Sequence, residues 1–261
     1  MASKHIALLT DFGTEDGYVA AMKGRILSLS PQVNIVDISH HISPYDIYQA
    51  AFCLNNCYLY FPEKTIFVVV VDPGVGTDRP GIVIKTSHHY FVGPDNGVFS
   101  FILEQEAHQT YQIEYAHLDW EVSPTFHGRD VFVPMACLIA NDRPIDPYVQ
   151  NVSQAKTFLT SPKKVSDNTF QLNILMIDHF GNIILNFHQK DWRKLGYPEN
   201  IGVKVKNHEI KKIQATFGVV PPGEFVLTWD SSGYLQIAQN QGNAAKTLQI
   251  TRDEIIQLYL W

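Results

Sequence analysis

The sequence contains no apolar run long enough to cross a membrane, and its beginning, MASKHIALLT, has too short an apolar segment to form a signal peptide. We therefore expect a soluble protein that works in the cytoplasm. Positive charge is also in short supply, since the formal net charge is -6 at pH 7. This balance disfavours nucleic acids and anionic membranes as partners, so we expect a small-molecule partner.

Cysteine is scarce, with three residues in 261. Cys53 and Cys57 lie one helical turn apart and do not form a CxxC pair. Free, buried thiols are therefore expected rather than a disulfide or a zinc site. The chain has no HExxH motif, and its two adjacent histidine pairs would point to opposite faces of a strand. The sequence thus predicts no metal site and no cofactor.

Familiar nucleotide-binding motifs are missing as well. DFG at 11–13 and HGRD at 127–130 resemble parts of a protein kinase, but they occur in the reverse of the kinase order. The stretch DPGVGTDRP at 72–80 has two of the three glycines of a dinucleotide-binding loop and lacks the Gly-Lys-Ser/Thr of a phosphate-binding loop. Neither kinase chemistry nor nucleotide phosphate binding is expected.

The composition suits a folded core, because 45% of the residues are hydrophobic and 18% are charged. Short β-rich runs alternate with helical patterns up to about residue 150, which is typical of an α/β fold with a mostly parallel sheet. After a polar stretch, short strands follow one another with no long helix, as in a small β-barrel. The predicted organisation is an N-terminal α/β domain at 1–152, a linker at 153–169 and a smaller C-terminal all-β barrel domain at 170–261.

Two local features are predicted in more detail. In the second helix, Ser43 is placed to cap the N-terminus, Pro44 suits the first turn, and Pro62 ends the helix. In the barrel domain, glycine, proline and asparagine separate six predicted strands, LNILMI, NIILNF, GVKVK, FVLTW, YLQIA and TLQI.

Polar residues follow several predicted strands of the α/β domain. The acidic ones are Asp11, Asp37, Asp72 and Asp95. Ligands of open parallel sheets bind at the carboxyl ends of the strands, so these side chains are expected to lie along one edge. The alternative for Asp11 and Asp37 is that each only caps the following helix or turn, as aspartate often does.

Seven motifs, in order along nearly the whole chain, resemble those of the S-adenosyl-L-methionine (SAM) hydroxide adenosyltransferases, or SAM hydrolases, which are relatives of fluorinase and chlorinase. They are LLTDFGTEDGYVAAMKG, IVDISHHISPYDIYQAA, VVVVDPGVGTDRP, PDNGVFS, TFHGRD, DHFGNIILN and SSGYLQIAQNQGNAA. The resemblance implies an N-terminal α/β domain, a C-terminal β-barrel, and a homotrimer that binds SAM between subunits. The implied reaction converts SAM and water to adenosine and L-methionine, so SAM is a substrate rather than a cofactor.

The resemblance also implies roles for single residues. Its catalytic Asp–Arg–His set corresponds here to Asp72, Arg79 and His127. Asp11 corresponds to the acid that accepts hydrogen bonds from the ribose hydroxyls, and Tyr45 to an aromatic residue beside the ribose. Five positions of the barrel domain correspond to ligands of the methionine and adenine parts of SAM: Asp178 for the ammonium group, Phe180 and Asn182 for adenine, and Ser232 and Ala238 near the carboxylate and the adenine edge.

The chemistry of these residue types agrees with water as the nucleophile. The sulfonium releases neutral methionine without an acid or a metal, and a carboxylate near a cation and an imidazole can orient and deprotonate water. A carboxylate beside the nucleophile would repel a halide, which disfavours a halogenase. The other alternative for function is a SAM- or adenosine-binding sensor with little turnover, which would not need Asp72, Arg79 and His127.

Taken singly, Arg79 has the alternative of a salt bridge to Asp78 or another acid, and His127 that of a turn histidine with satisfied hydrogen bonds. For Phe180 and Ala238, the alternative is burial in the barrel core.

Overall fold

The computed structural model describes residues 4–158 and 161–261. The chain divides into two compact units, Met1–Phe158 and Leu159–Trp261, here called the N-terminal and the C-terminal unit. Their boundary lies inside the segment predicted to be a linker. Within the described ranges, no helix is long and apolar enough to span a membrane.

The N-terminal unit alternates strands and helices. Its strands are β1 (His5–Thr10), β2 (Asn34–Ser39), β3 (Ile66–Val70), β4 (Gly81–Thr86), β5 (Tyr90–Pro94), β6 (His108–Ile113) and β7 (Val149–Val152). Its helices are α1 (Tyr18–Leu29), α2 (Ile47–Asn55), α3 (Ser100–Gln105) and α4 (Val133–Ala140), with single 3-10 turns at Tyr58–Tyr60, Tyr115–His117 and Asp146–Tyr148. A π-helical turn, Gly128–Phe132, leads directly into α4.

The seven strands form one mixed sheet in the order β2-β1-β3-β5-β4-β6-β7. The pairs β1 with β2, β1 with β3, and β3 with β5 are parallel, whereas the pairs that involve β4 and β7 are antiparallel. The predicted α/β fold is confirmed. The carboxyl ends of β1, β2, β3 and β5 therefore lie along one edge of the sheet, which is the edge where ligands of such sheets bind.

Helices cover both faces of this sheet. Residues of α1 and α4 pack with one side of β3, and residues of α2 and α3 pack with the other side. All five residues of β3 are buried as a result. This double coverage explains why the sequence of β3 is an uninterrupted apolar run rather than an alternating one.

The second helix begins later than predicted. Asp46, not Ser43, is its N-cap, since Oδ1 of Asp46 accepts a hydrogen bond of 3.0 Å from the backbone N–H of Gln49. Tyr45 has a left-handed φ of 67°, which a right-handed helix cannot contain. Ser43 and Pro44 therefore belong to the turn before α2, and the predicted Ser43 cap is wrong.

The C-terminal unit is a nearly closed, barrel-like sheet. Its strands are β8 (Lys163–Ser166), β9 (Thr169–Ile177), β10 (Ile183–His188), β11 (Ile201–Val205), β12 (His208–Lys211), β13 (Ile213–Gln214), β14 (Phe225–Trp229), β15 (Tyr234–Gln239) and β16 (Ile255–Leu260). The order is β12-β11-β16-β9-β10-β15-β14-β13, with β8 paired to β9. Alternate side chains fill its core, including Leu172, Leu185, Val203, Leu235 and Leu258.

Five of the six strands predicted for this unit coincide with observed strands, and the sixth, TLQI, is wrong. Its first two residues end a short helix, α6 (Ala244–Leu248), and a second short helix, α5 (Gln189–Lys194), follows β10. Asn243 caps α6 because its side chain accepts a hydrogen bond of 2.8 Å from the N–H of Lys246. Gln249, with a left-handed φ of 51°, ends the helix.

Candidate active site

A cleft of about 370 Å³ lies at the carboxyl edge of the parallel strands in the N-terminal unit. Asp11 enters it directly after β1, and Asp72 enters it just beyond β3. Tyr45 lines it from the turn before α2, and His127 lines it from the start of the π-helical turn. Four of the residues predicted for the site, distant in sequence, thus meet in one cleft.

The loop between β3 and β4 folds back on itself and returns Arg79 to the end of β3. Gly76 takes a left-handed φ of 74°, and a side chain there would collide with the carbonyl oxygen of Pro124. The hydroxyl of Thr77 donates a hydrogen bond of 2.7 Å to the carbonyl of Gly74. Gly76 of DPGVGTDRP is therefore required for this return of the chain.

Asp72 and Arg79 form a buried, two-point ion pair. Nε of Arg79 donates to Oδ1 of Asp72 at 3.0 Å, and Nη2 donates to Oδ2. The remaining donor group, Nη1, is satisfied by the carbonyl of Pro80 at 2.6 Å and by the hydroxyl of Tyr115 at 2.9 Å. The side chains of Arg79 and Asp72 are only 9% and 4% exposed, so each charge depends on the other.

His127 completes this group of side chains. Its Nδ1 lies 3.3 Å from Nη2 of Arg79, and its ring centre is 5.1 Å from that of Tyr115. Burial lowers the pKa of His127 below its usual 6.5, and the positive charge of Arg79 lowers that pKa further. Because the guanidinium can only donate, Nδ1 is the acceptor and the proton of neutral His127 sits on Nε2.

Asp11 is held by an unusual backbone conformation. Its Oδ2 accepts a hydrogen bond of 2.9 Å from the backbone N–H of Tyr45, whose left-handed φ is rare for a bulky residue. Burial raises the pKa of Asp11, the bond from Tyr45 opposes this shift, and the negative charge of Asp72 adds to it. The ring of Tyr45 is 70% exposed at the mouth of the cleft.

The other two acids at the sheet edge have different surroundings. Asp37 lies inside β2, where it contacts Lys23 and His40. Asp95 accepts a hydrogen bond of 2.7 Å from the backbone N–H of Lys156. Neither is among the described residues that line the cleft. Of the four acids expected along this edge, only Asp11 and Asp72 therefore line the cleft.

In the C-terminal unit, Asp178 organises the DHFGN turn. Its Oδ1 accepts from the backbone N–H groups of Phe180 and Asn182 at 2.9 and 2.8 Å, and its Oδ2 accepts from the side-chain amide of Asn182 at 2.9 Å. Gly181 has a left-handed φ of 84°, and a side chain there would collide with Asn243. Phe180 is 70% exposed, so it does not belong to the barrel core.

Ser232 and Ala238 lie on the segment formed by the turn before β15 and β15 itself. Oδ1 of Asp230 accepts from the backbone N–H groups of Ser232 and Tyr234 at 2.9 and 2.7 Å. Burial raises the pKa of Asp230, and the negative charge of Asp178 contributes to the same shift. Ala238 is fully buried, and strand alternation places it on the face opposite the core residue Ile237.

Sequence reasoning missed two features of the candidate site. One is Tyr115, which contacts both Arg79 and His127 but lies in a 3-10 turn with no motif around it. The other is an aromatic wall in which the rings of Phe12, Tyr18 and Phe126 lie 5.5 to 5.9 Å apart. Phe12 and Phe126 sit beside predicted site residues in the sequence, and that position was the available signal.

The three cysteines are free, as predicted. Cys137 is also buried as expected, whereas Cys53 and Cys57 are only partly buried. Burial raises the pKa of Cys57 to about 12, so this thiol is protonated at neutral pH. Among residues 4–158 and 161–261, no group of three or more His, Cys, Asp or Glu side chains is arranged to hold a metal ion.

Comparison with known proteins agrees with this geometry. The family model for the SAM hydroxide adenosyltransferase N-terminal domain matches residues 6–148, and the family model for the C-terminal domain matches residues 172–257. The chain belongs to the SAM hydroxide adenosyltransferase family. This result confirms the resemblance that the seven motifs indicated.

Individual relatives align with nearly the whole chain. The (R)-S-adenosyl-L-methionine hydrolase of Methanocaldococcus jannaschii is 37% identical over 97% of this chain and 95% of its own length. The crystal structure of a conserved protein from Thermotoga maritima superposes with a TM-score of 0.86 at 33% identity, covering 97% of this chain and 99% of that one. A fluorinase from an Actinoplanes species is more distant, at 26% identity over 90% of both chains.

The charge arrangement in this adenosyltransferase cleft makes a prediction for His127. In the native protein its imidazole should titrate below pH 6.5, as followed by NMR of the ring nitrogens. Arg79→Gln should raise that pKa, because it removes the neighbouring positive charge and leaves Asp72 without its partner. A His127 pKa that is unchanged or lower in the variant would show that Arg79 does not set the charge state of the imidazole.

Proposed function

We propose that this protein hydrolyses SAM at the ribose 5′ carbon and releases adenosine and L-methionine. The observation that carries the proposal is the buried Asp72–Arg79 pair beside His127, at the edge of a cleft that also contains Asp11. The (R)-SAM hydrolase of Methanocaldococcus jannaschii, at 37% identity, supports the same reaction.

Asp72 is the residue that orients and deprotonates the water. Its two oxygens each accept one N–H from Arg79, and a carboxylate has about four acceptor positions, so both oxygens can accept further hydrogen bonds from the cleft side. Arg79 is not among the described residues that line the cleft, whereas Asp72 and His127 are. Arg79 therefore acts through the two neighbours that it holds, and Asp72 and His127 face the reacting atoms.

The reaction requires one bond to form as another breaks. The water oxygen bonds to C5′ while the C5′–S bond breaks, and the electron pair stays on sulfur in neutral methionine. The water proton passes to Asp72, which acts as general base. Neutral His127, with its proton on Nε2, can donate a hydrogen bond to the same oxygen and keep it in line with the leaving sulfur. Asp11 accepts hydrogen bonds from the two ribose hydroxyls, and Tyr45 lies beside the ring.

The buried pair also argues against the two alternatives. A binding sensor gains nothing from a desolvated carboxylate–guanidinium pair next to a neutral imidazole, and burying such a pair is costly. A halogenase would have to place a halide beside the carboxylate of Asp72, where like charges repel. Water carries no such penalty, so hydrolysis fits the site better.

We extend the proposal to assembly and location. In the proposed homotrimer, Asp178, Phe180, Asn182 and Ser232 of a neighbouring subunit lie against the methionine and adenine parts of SAM, and the fully buried Ala238 lies behind them near the adenine edge. The exposed ring of Phe180 supports this role, because it is free to stack on a base. The three free cysteines support a reducing compartment such as the cytoplasm.

The products of the reaction test the proposal directly. Pure protein incubated with SAM in H₂¹⁸O and EDTA should form adenosine and methionine, with the heavy oxygen at the adenosine 5′ position. The assay should use both epimers of SAM at the sulfonium sulfur. We expect faster turnover of the (R) epimer, because the Methanocaldococcus relative is named for it. Formation of S-adenosylhomocysteine or methylthioadenosine, or uptake of added halide in place of water, would contradict the proposal.

Mixing inactive variants tests the shared site. Asp72→Asn removes the base and Asp178→Ala disrupts the DHFGN turn, so each pure variant should retain at most about a hundredth of the wild-type activity. In mixed trimers, a site built from an intact N-terminal unit and a neighbour's intact C-terminal unit should recover activity, to roughly a quarter of the wild-type level when subunits mix randomly. Light scattering should report a trimer. No recovery after verified subunit exchange would show that each site lies within one subunit.

A further inference from the structure

A set of polar side chains, buried at Thr10 and His40 and partly exposed at Asp37 and Lys23, leads from β2 to the Asp11 turn. The hydroxyl oxygen of Thr10, the last residue of β1, lies 2.8 Å from Nδ1 of His40. The other ring nitrogen, Nε2, lies 3.1 Å from Oδ1 of Asp37, but this contact does not have the geometry of a hydrogen bond. Lys23 of α1 donates to Oδ2 of Asp37 at 2.5 Å. These four residues, Thr10, His40, Asp37 and Lys23, are called the His40 network below.

A β-bulge makes this network possible. In a regular strand, residues three positions apart face opposite sides, so Asp37 and His40 would diverge. The pairing of β2 with β1 skips Ile38, which is an extra residue in β2. The extra residue shifts the alternation by one position and brings Asp37 and His40 to the same side.

In neutral His40 with its proton on Nε2, the nitrogen that faces the carboxylate of Asp37, Nδ1 accepts a hydrogen bond from the hydroxyl of Thr10. The same hydroxyl oxygen accepts a hydrogen bond of 3.3 Å from the backbone N–H of Phe12. The carbonyl of His40 accepts one of 2.8 Å from the N–H of Gly13. His40 thus fixes the turn at 11–13 twice, through its ring and through its backbone.

We propose that Thr10 and His40 are positioning residues for Asp11, the ribose-binding carboxylate of the proposed function, on which this inference rests. Thr10 and His40 are buried, at 0% and 4% exposure, and among the described residues neither lines the cleft. Asp11 and Phe12, which they hold in place, do line it. Their effect on substrate passes through the orientation of the Asp11 carboxylate.

Thr10→Val tests the role with little change in shape. It removes the acceptor for the N–H of Phe12 and the donor to His40, so the KM for SAM should rise about tenfold while kcat changes less than about threefold. Thr10→Ser keeps the hydroxyl and should restore the wild-type KM. Thr110→Val makes the same replacement at a buried threonine of β6, with 4% exposure, and should leave the KM unchanged.

A double-mutant cycle separates positioning from a general loss of order. If Thr10 acts through Asp11, Thr10→Val should raise the KM of the Asp11→Asn variant less than about twofold, because the carboxylate that it positions has been removed. Full multiplication of the two effects would overturn the inference. If Thr10→Val folds poorly, the cycle is repeated with His40→Gln. His89→Gln is its matched control, because His89 is a buried histidine that does not line the cleft.

Hydrogen exchange gives a readout that does not depend on turnover. The N–H of Phe12 should exchange at least about tenfold faster in Thr10→Val than in the wild type, whereas amides of the C-terminal unit should not change. Wild-type protein that lacks SAM hydrolysis would overturn the proposed function and, with it, the role given to Thr10. Normal wild-type turnover together with an unchanged KM or unchanged exchange in Thr10→Val would overturn this inference alone.

Discussion

The buried ion pair between Asp72 and Arg79 is the interaction on which the candidate site depends. It fixes the loop between β3 and β4, because Arg79 must return to the strand end that carries Asp72. Tyr115, the carbonyl of Pro80 and Nδ1 of His127 accept the remaining guanidinium hydrogens, and the ring centre of Phe132 lies 5.6 Å from the guanidinium carbon. Removing either partner of a buried pair leaves an uncompensated charge, which costs about 3–5 kcal/mol.

This pair sets the electrostatics of its neighbours. Arg79 and burial both disfavour a protonated His127, so the stability that this histidine contributes is lost as the pH falls through its lowered pKa. Asp11 has a raised pKa, so its ionisation reduces stability as the pH rises through that value. The shifted pKa values of His127 and Asp11 and the left-handed φ of Tyr45 are all energetically unfavourable. Functional sites often contain such unfavourable features, which agrees with the cleft being the functional site.

Sequence patterns predicted the parts of the site that depend on periodicity and strand ends. The apolar run of β3 and the rule that ligands bind at the carboxyl ends of parallel strands were enough to place Asp11 and Asp72 at one edge. The same rule misplaced Asp37, because β2 continues to Ser39 and Asp37 therefore lies inside the strand, where it contacts Lys23 and His40. Tyr115 was missed because its contact with Arg79 joins distant segments.

Local errors had similar causes. Ser43 resembles a helix cap, but Tyr45 takes a left-handed φ and α2 starts only at Ile47. The backbone N–H of Tyr45 donates to Asp11, 34 residues away, and a contact of that range has no local sequence signal. The strand predicted at TLQI failed because the Asn243 cap favours a short helix. In the C-terminal unit the roles of Asp178, Phe180, Asn182, Ser232 and Ala238 came from motif resemblance alone, and their contacts with substrate stay predictions.

The central claim is that Asp72 serves the chemical step rather than the binding of substrate, and single-turnover kinetics of Asp72→Asn with SAM measure this most directly. Asp78→Asn, an exposed acid of the same loop, is the matched control. With folding verified by circular dichroism, Asp72→Asn should slow adenosine formation about a hundredfold or more while SAM affinity stays within about threefold, and Asp78→Asn should match the wild type. A folded Asp72→Asn variant that forms adenosine at the wild-type rate would contradict the account.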